Sequence, residues 1–218
     1  MRILLLGATG RTGKYVLEEA IQKGYDLHCL VRNSQRITIR SKQLTIIEGN
    51  PENLVDLEKA IQGCEAVISV LNVSRTSDFP WAKLRTPPTF MSQVVRNLIQ
   101  LAATVTIKRI IVCSAWGASD TRKDLPALFR WLIDHSNIGY AYRDHELQEK
   151  LLKESSLAWT IVRPVGLTNS KKYQQVVESY DNKPRPGMTI TRCTVARYLV
   201  DAIQNESLIH QAPVISGG

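Results

Sequence analysis

Short apolar runs alternate with longer amphipathic stretches along almost all of this 218-residue chain. Strand-like runs fall at residues 2–6, 26–31, 44–48, 66–71, 109–113, 159–163 and 212–215. Apolar residues spaced three and four apart mark helices near 14–23, 54–61, 89–104, 125–134, 144–154 and 195–204. Short strands alternating with longer helices imply parallel strands joined by right-handed crossovers, hence an α/β, doubly wound parallel sheet. Three stretches do not fit a bare sheet: 72–88, 116–143 and 167–188. Each follows the carboxyl end of a strand, the edge that carries the ligand crevice of an open α/β sheet. They are therefore read as the walls of a pocket in a single unit spanning 1–218.

The first strand runs directly into Gly7-Ala8-Thr9-Gly10-Arg11-Thr12-Gly13, and a helical stretch follows. Strand, Gly-x-x-Gly-x-x-Gly turn and helix start are what a dinucleotide-phosphate site needs. Gly7 allows the tight turn, Gly10 lets backbone approach a pyrophosphate, and Gly13 lets the helix pack close. The free N–H groups at the helix start then face the phosphates. Thr9, Arg11 and Thr12 belong to the same turn. The end of the second strand chooses between cofactors. An NAD site places a carboxylate there to bond the ribose 2′-hydroxyl. This chain has Arg32-Asn33-Ser34-Gln35-Arg36 instead. Two guanidinium groups and a serine hydroxyl suit a 2′-phosphate, so the expected cofactor is NADP, with NADPH preferred over NADH. Asn50, after the third strand, can bond the adenine edge. Leu71, Asn72 and Val73, after the fourth, would pass the adenosine ribose.

Charge and cysteines narrow the setting. The chain carries 28 Lys and Arg against 20 Asp and Glu, a net +8. The basic residues are dispersed without aromatic interleaving, which points away from nucleic acid and towards an anionic cofactor or substrate. No run approaches the ~18 apolar residues of a membrane span. The N-terminal strand is not a signal peptide, and the four scattered cysteines lack metal or redox spacing. A cytoplasmic protein with reduced thiols and no bound metal is expected.

Ordinary alcohol–ketone chemistry in short-chain dehydrogenases uses a Tyr-x-x-x-Lys pair as proton relay. No tyrosine here has a lysine four residues on: Tyr140, Tyr142, Tyr173 and Tyr180 are followed at that spacing by Asp144, Glu146, Val177 and Pro184. Ser114, at the end of the fifth strand, can face the crevice and bond a substrate carbonyl or orient the nicotinamide, or it can simply bond local backbone. His145 and Glu149 stand four apart on a predicted helix. They are either a proton-transfer group with its neighbour or a plain surface pair. Trp81 and Trp116 can wall a flat acceptor, while Arg75, Lys83 and Arg85 can attract its phosphate or propionate groups.

These motifs resemble one family over nearly the whole length: the atypical short-chain dehydrogenases/reductases of the NmrA-like and biliverdin reductase B (flavin reductase) group. The resemblance is carried by 7–13, Gly24-Tyr25-Asp26 with Val31-Arg32-Asn33-Ser34, Val112-Cys113-Ser114-Ala115, Asp144-His145-Glu146, 152–157, Trp159-Thr160-Ile161-Val162-Arg163-Pro164, and Ile190-Thr191-Arg192 with Val195-Ala196. It implies a Rossmann-type sheet with a small C-terminal substrate-binding region. It gives Ser114 the place of the family's active-site serine, puts a polar residue near His145 where the Tyr-Lys pair is lost, and lays Pro164, Val165 and Gly166 against the nicotinamide. Biliverdin reductase B types carry histidine where this chain has Val165, which weakens biliverdin as the acceptor more than flavin or quinone. The stretch 120–143 resembles a subgroup insert that forms a helix over the active-site edge, setting substrate choice or dimerisation.

The expected activity is NADPH-dependent hydride transfer to a small planar acceptor such as a flavin or quinone. The alternative is a non-enzymatic NADP(H) sensor acting on a protein partner. A sugar-nucleotide or isoflavone-type reductase is a minor third reading, because no lysine or equivalent acid can be placed in its pocket.

Overall fold

The computed structural model describes residues 1–218. In chain order its main elements are β1 (Arg2–Leu6), α1 (Gly13–Gln22), β2 (Asp26–Val31), β3 (Leu44–Glu48), α2 (Leu54–Ile61), β4 (Ala66–Ser69), α3 (Phe90–Leu101) and β5 (Arg109–Cys113). Then come α4 (Ala127–Asp134), α5 (Ile138–Lys153), β6 (Trp159–Pro164), β7 (Gly166–Thr168), β8 (Val176–Ser179), β9 (Thr189–Thr191), α6 (Arg192–Asp201) and β10 (Val214–Gly217). The main sheet has the order β3-β2-β1-β4-β5-β6-β10-β8. Every pairing in it is parallel except β10 with β8. The order reverses at β1, so the loops after β1 and β4 diverge there and open the crevice of a Rossmann sheet.

Strand alternation divides the core between the two faces. Ile3 and Leu5 pack with Val16, Leu17 and Ala20 of α1 and Val195 and Leu199 of α6. Leu4 and Leu6 pack with Leu57 of α2, Val94 and Leu98 of α3 and Leu152 of α5. Helices therefore cover both faces, which is why the inner strands read as continuous apolar runs rather than alternating ones.

The structure departs from the sequence reading at the substrate side. Helix α5 starts at Ile138, six residues earlier than the periodicity predicts, because 138–143 mixes aromatic, small and charged residues without an apolar stripe. The stretch 167–188 is not irregular. It holds β8, an antiparallel edge strand, and most of β7, which pairs with β9 in a separate two-stranded ladder. These strands are three or four residues long, with β7 and β8 half-exposed, too short to impose a visible period. The segment after β4 doubles back on itself, with Arg75 bridged antiparallel to Leu84. It forms a flap over the crevice.

Candidate active site

A cavity of about 700 Å³ opens along the carboxyl ends of β1, β2, β4, β5 and β6. At its cofactor end the chain turns through Gly7 at φ +90°, and Gly10 N–H donates to Gly7 O at 2.9 Å. Any side chain at Gly13 would place its Cβ 2.0 Å from Gly7 O, so α1 leaves the sheet at a distance only glycine permits. The Thr12 side chain does not cap α1, and no acceptor in the chain meets the N–H groups of Arg11, Thr12 or Gly13. Three orphan donors at a helix start beside an open cavity fit a pyrophosphate.

Of the expected cofactor contacts, Gly7, Thr9, Gly10, Arg11, Thr12, Arg32, Arg36, Leu71, Asn72, Val73, Ser114, Pro164, Val165 and Gly166 all line this one cavity. Gly13, Asn33, Ser34 and Asn50 do not. Gly13 acts through packing. Asn33 Oδ1 accepts from Gln35 N–H and caps the short turn at Ser34–Arg36. Ser34 N–H donates to Glu48 Oε1 at 2.7 Å, and hydrogen bonds from Ser34 hold the Glu48 carboxyl below its ordinary range. Asn50 is used by its own loop: its N–H donates to Asp56 Oδ2, and its Oδ1 accepts from Glu52 N–H.

The other end of the cavity is built from distant segments. Ser114 lies at the tip of β5 and His145 on α5, and both line the cavity and are buried. His145 and Glu149 are not a surface pair. Glu149 is fully buried, and its carboxylate takes four hydrogen bonds. Oε1 accepts from Ser114 Oγ at 2.6 Å and Arg163 Nε at 3.1 Å. Oε2 accepts from Ser119 Oγ at 2.8 Å and Arg163 Nη2 at 2.6 Å. Arg163 also grips Asp120 through Nη2 at 2.7 Å. Burial alone would raise the Glu149 pKa, but the Arg163 bonds and charge outweigh it and hold the carboxyl ionised. The donor in the Ser114–Glu149 bond must then be the serine. A hydroxyl has one proton, so Ser114 meets a ligand only as an acceptor. The expected donation from Ser114 to a substrate carbonyl is not available in this arrangement.

Burial pushes His145 down to about 4, so its imidazole is neutral near pH 7. Gln148 Nε2 lies 3.0 Å from its Nδ1. With the amide donating, the ring proton sits on Nε2. His145 is thus no reservoir of protons at neutral pH. Its neighbour Asp144 serves structure, accepting from Met91 and Ser92 N–H at the start of α3.

The aromatic wall differs in part from expectation. Trp116 lines the cavity, joined by Phe129 of α4 and Tyr142 of α5. Trp81 lies outside it, donating from Nε1 to His135 O at 2.7 Å. Arg75 and Arg85 line the cavity, and Lys83 does not. Arg192, at the start of α6, lines it as well. Arg11 reaches across the mouth to Asp78 on the flap in a two-pronged ion pair at 2.9 Å. The sequence carried a hint of the Glu149 network. An arginine inside the buried strand Trp159–Pro164 demands an acidic partner, and Glu149 sits on the helix just before it.

A family model described as NAD(P)H-binding matches residues 7–206. Oxidoreductase nsrR of Aspergillus novofumigatus is 28% identical over 176 residues, covering 75% of this chain and 65% of that protein. Photosystem II assembly factor Ycf39 of Synechocystis is 24% identical over 224 residues, covering 99% of this chain and 62% of that protein. The chain thus spans just under two thirds of the length of these two relatives. Among solved structures, the anaerobillin reductase ChuY of Escherichia coli aligns with TM-score 0.81 at 19% identity over 100% of this chain and 97% of that one. A short-chain dehydrogenase/reductase of Veillonella parvula in complex with NADP aligns with TM-score 0.78 at 20% identity over 99% and 94%. These two likenesses establish the fold. No helix is long and apolar enough to cross a membrane. The glycine turn with its orphan donors opens a region that the family model spans almost end to end, and the chain belongs to the NAD(P)H-binding family.

Proposed function

We propose that the protein is an NADPH-dependent reductase of a planar acceptor, such as a flavin or quinone. The observation that carries this reading is the wall of Trp116, Phe129 and Tyr142 in the same cavity as the glycine turn and Ser114. An aromatic face is what stacking a flat ring against a nicotinamide needs. Similarity to an oxidoreductase and to an anaerobillin reductase supports the same class.

NADPH, when bound, supplies the hydride. The chain supplies position and electrostatics. The N–H groups of Arg11, Thr12 and Gly13 hold the pyrophosphate. Arg32 and Arg36 take the 2′-phosphate, which favours NADPH over NADH. Pro164, Val165 and Gly166 bound the nicotinamide pocket. Ser114, fixed by Glu149, accepts from an N–H of the carboxamide or the acceptor ring. Ser114 has no proton to give while it donates to Glu149, and neutral His145 is a weak acid, so the reading does not use alcohol–ketone exchange. The proton that completes acceptor reduction comes from water.

NADPH oxidation, followed by absorbance with riboflavin, FMN, a small quinone and biliverdin in turn, tests this. Turnover with one acceptor, faster with NADPH than NADH and slowed in Ser114→Ala, is the expected result. A second reading, an NADP(H)-binding regulator, draws on the assembly-factor relative that covers nearly the whole chain. NADPH binding without turnover on any acceptor would favour it.

A further inference from the structure

Helix α5 carries Tyr142, His145 and Glu149 three and four residues apart, so all three project from one face. Contacts show what that face meets. Glu149 Oε1 accepts from Ser114 Oγ at 2.6 Å. The Tyr142 ring stands edge-on to His145, with centroids 6.5 Å apart, and edge-on to Phe129 at 6.5 Å. Tyr142 Oη donates to Trp116 O at 3.3 Å. Ser114, His145 and the three aromatic side chains therefore form one continuous wall, and all five line the same cavity.

The hydrogen-bond polarity of that wall is fixed from behind. Both carboxylate oxygens of Glu149 bond Arg163, so the carboxylate stays charged and the Ser114 proton points to it. Ser114 Oγ is left with lone pairs alone for the cavity. His145 has the opposite polarity. Its Nδ1 is taken by the Gln148 amide at 3.0 Å, which leaves the ring proton on Nε2. No acceptor in the chain meets Nε2, although the ring is buried. A buried N–H without a partner is a cost that a ligand oxygen removes. One helical turn separates His145 from Glu149, the residue that holds Ser114, so the donor and the acceptor stand side by side. A quinone edge offers carbonyl oxygens only. It satisfies His145 and sets lone pair against lone pair at Ser114. A ring amide satisfies both: its oxygen accepts from His145, and its N–H donates to Ser114.

We propose that Ser114 and His145 read an amide edge of the acceptor ring, adjacent C=O and N–H, so that the acceptor is a planar lactam or imide and not a quinone. The proposal rests on the reductase reading for the word acceptor, but recognition of the edge does not require turnover. The carboxamide of nicotinamide carries the same two groups, and the two ligands are told apart by which one loses affinity.

Riboflavin and 3-methylriboflavin differ only in that N–H. Carbostyril and coumarin exchange it for a ring oxygen of nearly the same size. The flavins are titrated into NADP-loaded protein, followed by fluorescence quenching, and the two bicyclic rings compete against riboflavin. Wild type should bind riboflavin about tenfold or more tightly than its methyl derivative, and carbostyril should displace it at about tenfold lower concentration than coumarin. Ser114→Ala should shrink both ratios to within about twofold. His145→Phe should weaken riboflavin about tenfold while NADP affinity changes less than about twofold. His145→Gln, whose amide still donates, should recover part of that loss. Equal affinity within either pair overturns the proposal, since a preference confined to the flavins is a clash with the methyl group. Menadione, a quinone, bound as tightly as riboflavin overturns it as well. Weaker NADP binding in place of weaker riboflavin binding in His145→Phe also overturns it, since the pair would then belong to the carboxamide. The wild-type ratios need no variant, so misfolding of a variant cannot rescue or hide the result. Preference for the amide-bearing rings without NADPH oxidation on any acceptor would sink the reductase reading and leave the edge recognition standing. NADPH oxidation at equal rates with riboflavin, 3-methylriboflavin and menadione would do the reverse.

Discussion

The two ends of the cavity are built on different principles. The cofactor end is backbone: a seven-residue turn whose shape is dictated by three glycines and whose donors are amide N–H groups with nothing else to bond. The other end is side chain: a serine, a buried carboxylate, an arginine and three aromatic rings drawn from β5, α4, α5, β6 and the loops between them. The first is local, fixed within seven residues. The second exists only when distant segments meet.

The sharpest blow to that contrast is Arg163→Met. It leaves Glu149 charged and buried without its partner, and should cost about 3–5 kcal/mol of stability by urea unfolding. Replacing both members of the pair, Glu149→Leu with Arg163→Met, should recover much of the loss, because no bare charge remains. If the single variant unfolds at the wild-type midpoint, the network is ornamental. Next comes Gly13→Ala. Its Cβ would sit 2.0 Å from Gly7 O, so the turn must open, at about 1–3 kcal/mol and with NADPH affinity falling further than stability alone explains. The smallest change in fold but a clear one in binding is Arg32→Ala with Arg36→Ala. Loss of charge-assisted bonds should weaken NADPH by about 1.5–3 kcal/mol in calorimetry and leave NADH nearly unchanged. Equal loss for both would remove the 2′-phosphate from that loop.

The same contrast explains what could be read before the fold was known. The alternation of strands and helices and the parallel, doubly wound sheet follow from apolar spacing, since strands buried on both faces leave continuous runs. The glycine turn is legible because its constraint acts within seven residues. Ser114 could be placed near the crevice from its strand end, whereas His145 came near it only through the family resemblance, with a plain surface pair left open. Their roles could not, because the polarity of the Ser114 hydroxyl is set by Glu149, thirty-five residues away, and Glu149 is charged because of Arg163 on another strand. Asn50 and Ser34 do not line the cavity: the backbone N–H of Asn50 donates to Asp56, its Oδ1 accepts from Glu52 N–H, and the backbone N–H of Ser34 donates to Glu48. Arg192 entered the sequence reading only within a family motif and the Phe129 stretch only within the 120–143 insert, because an aromatic in an amphipathic helix and a basic residue at a helix start look like ordinary packing and solvation.

The pair between Arg11 and Asp78 joins the glycine turn to the flap while both side chains stay largely in water. An exposed ion pair of that kind is worth at most about 1 kcal/mol. The bridged mouth is therefore favoured over the parted one only about fivefold, and the two banks separate freely on the timescale of loop motion. Residence time in the crevice is then set by what a guest bonds to inside, and hardly at all by the clasp above it.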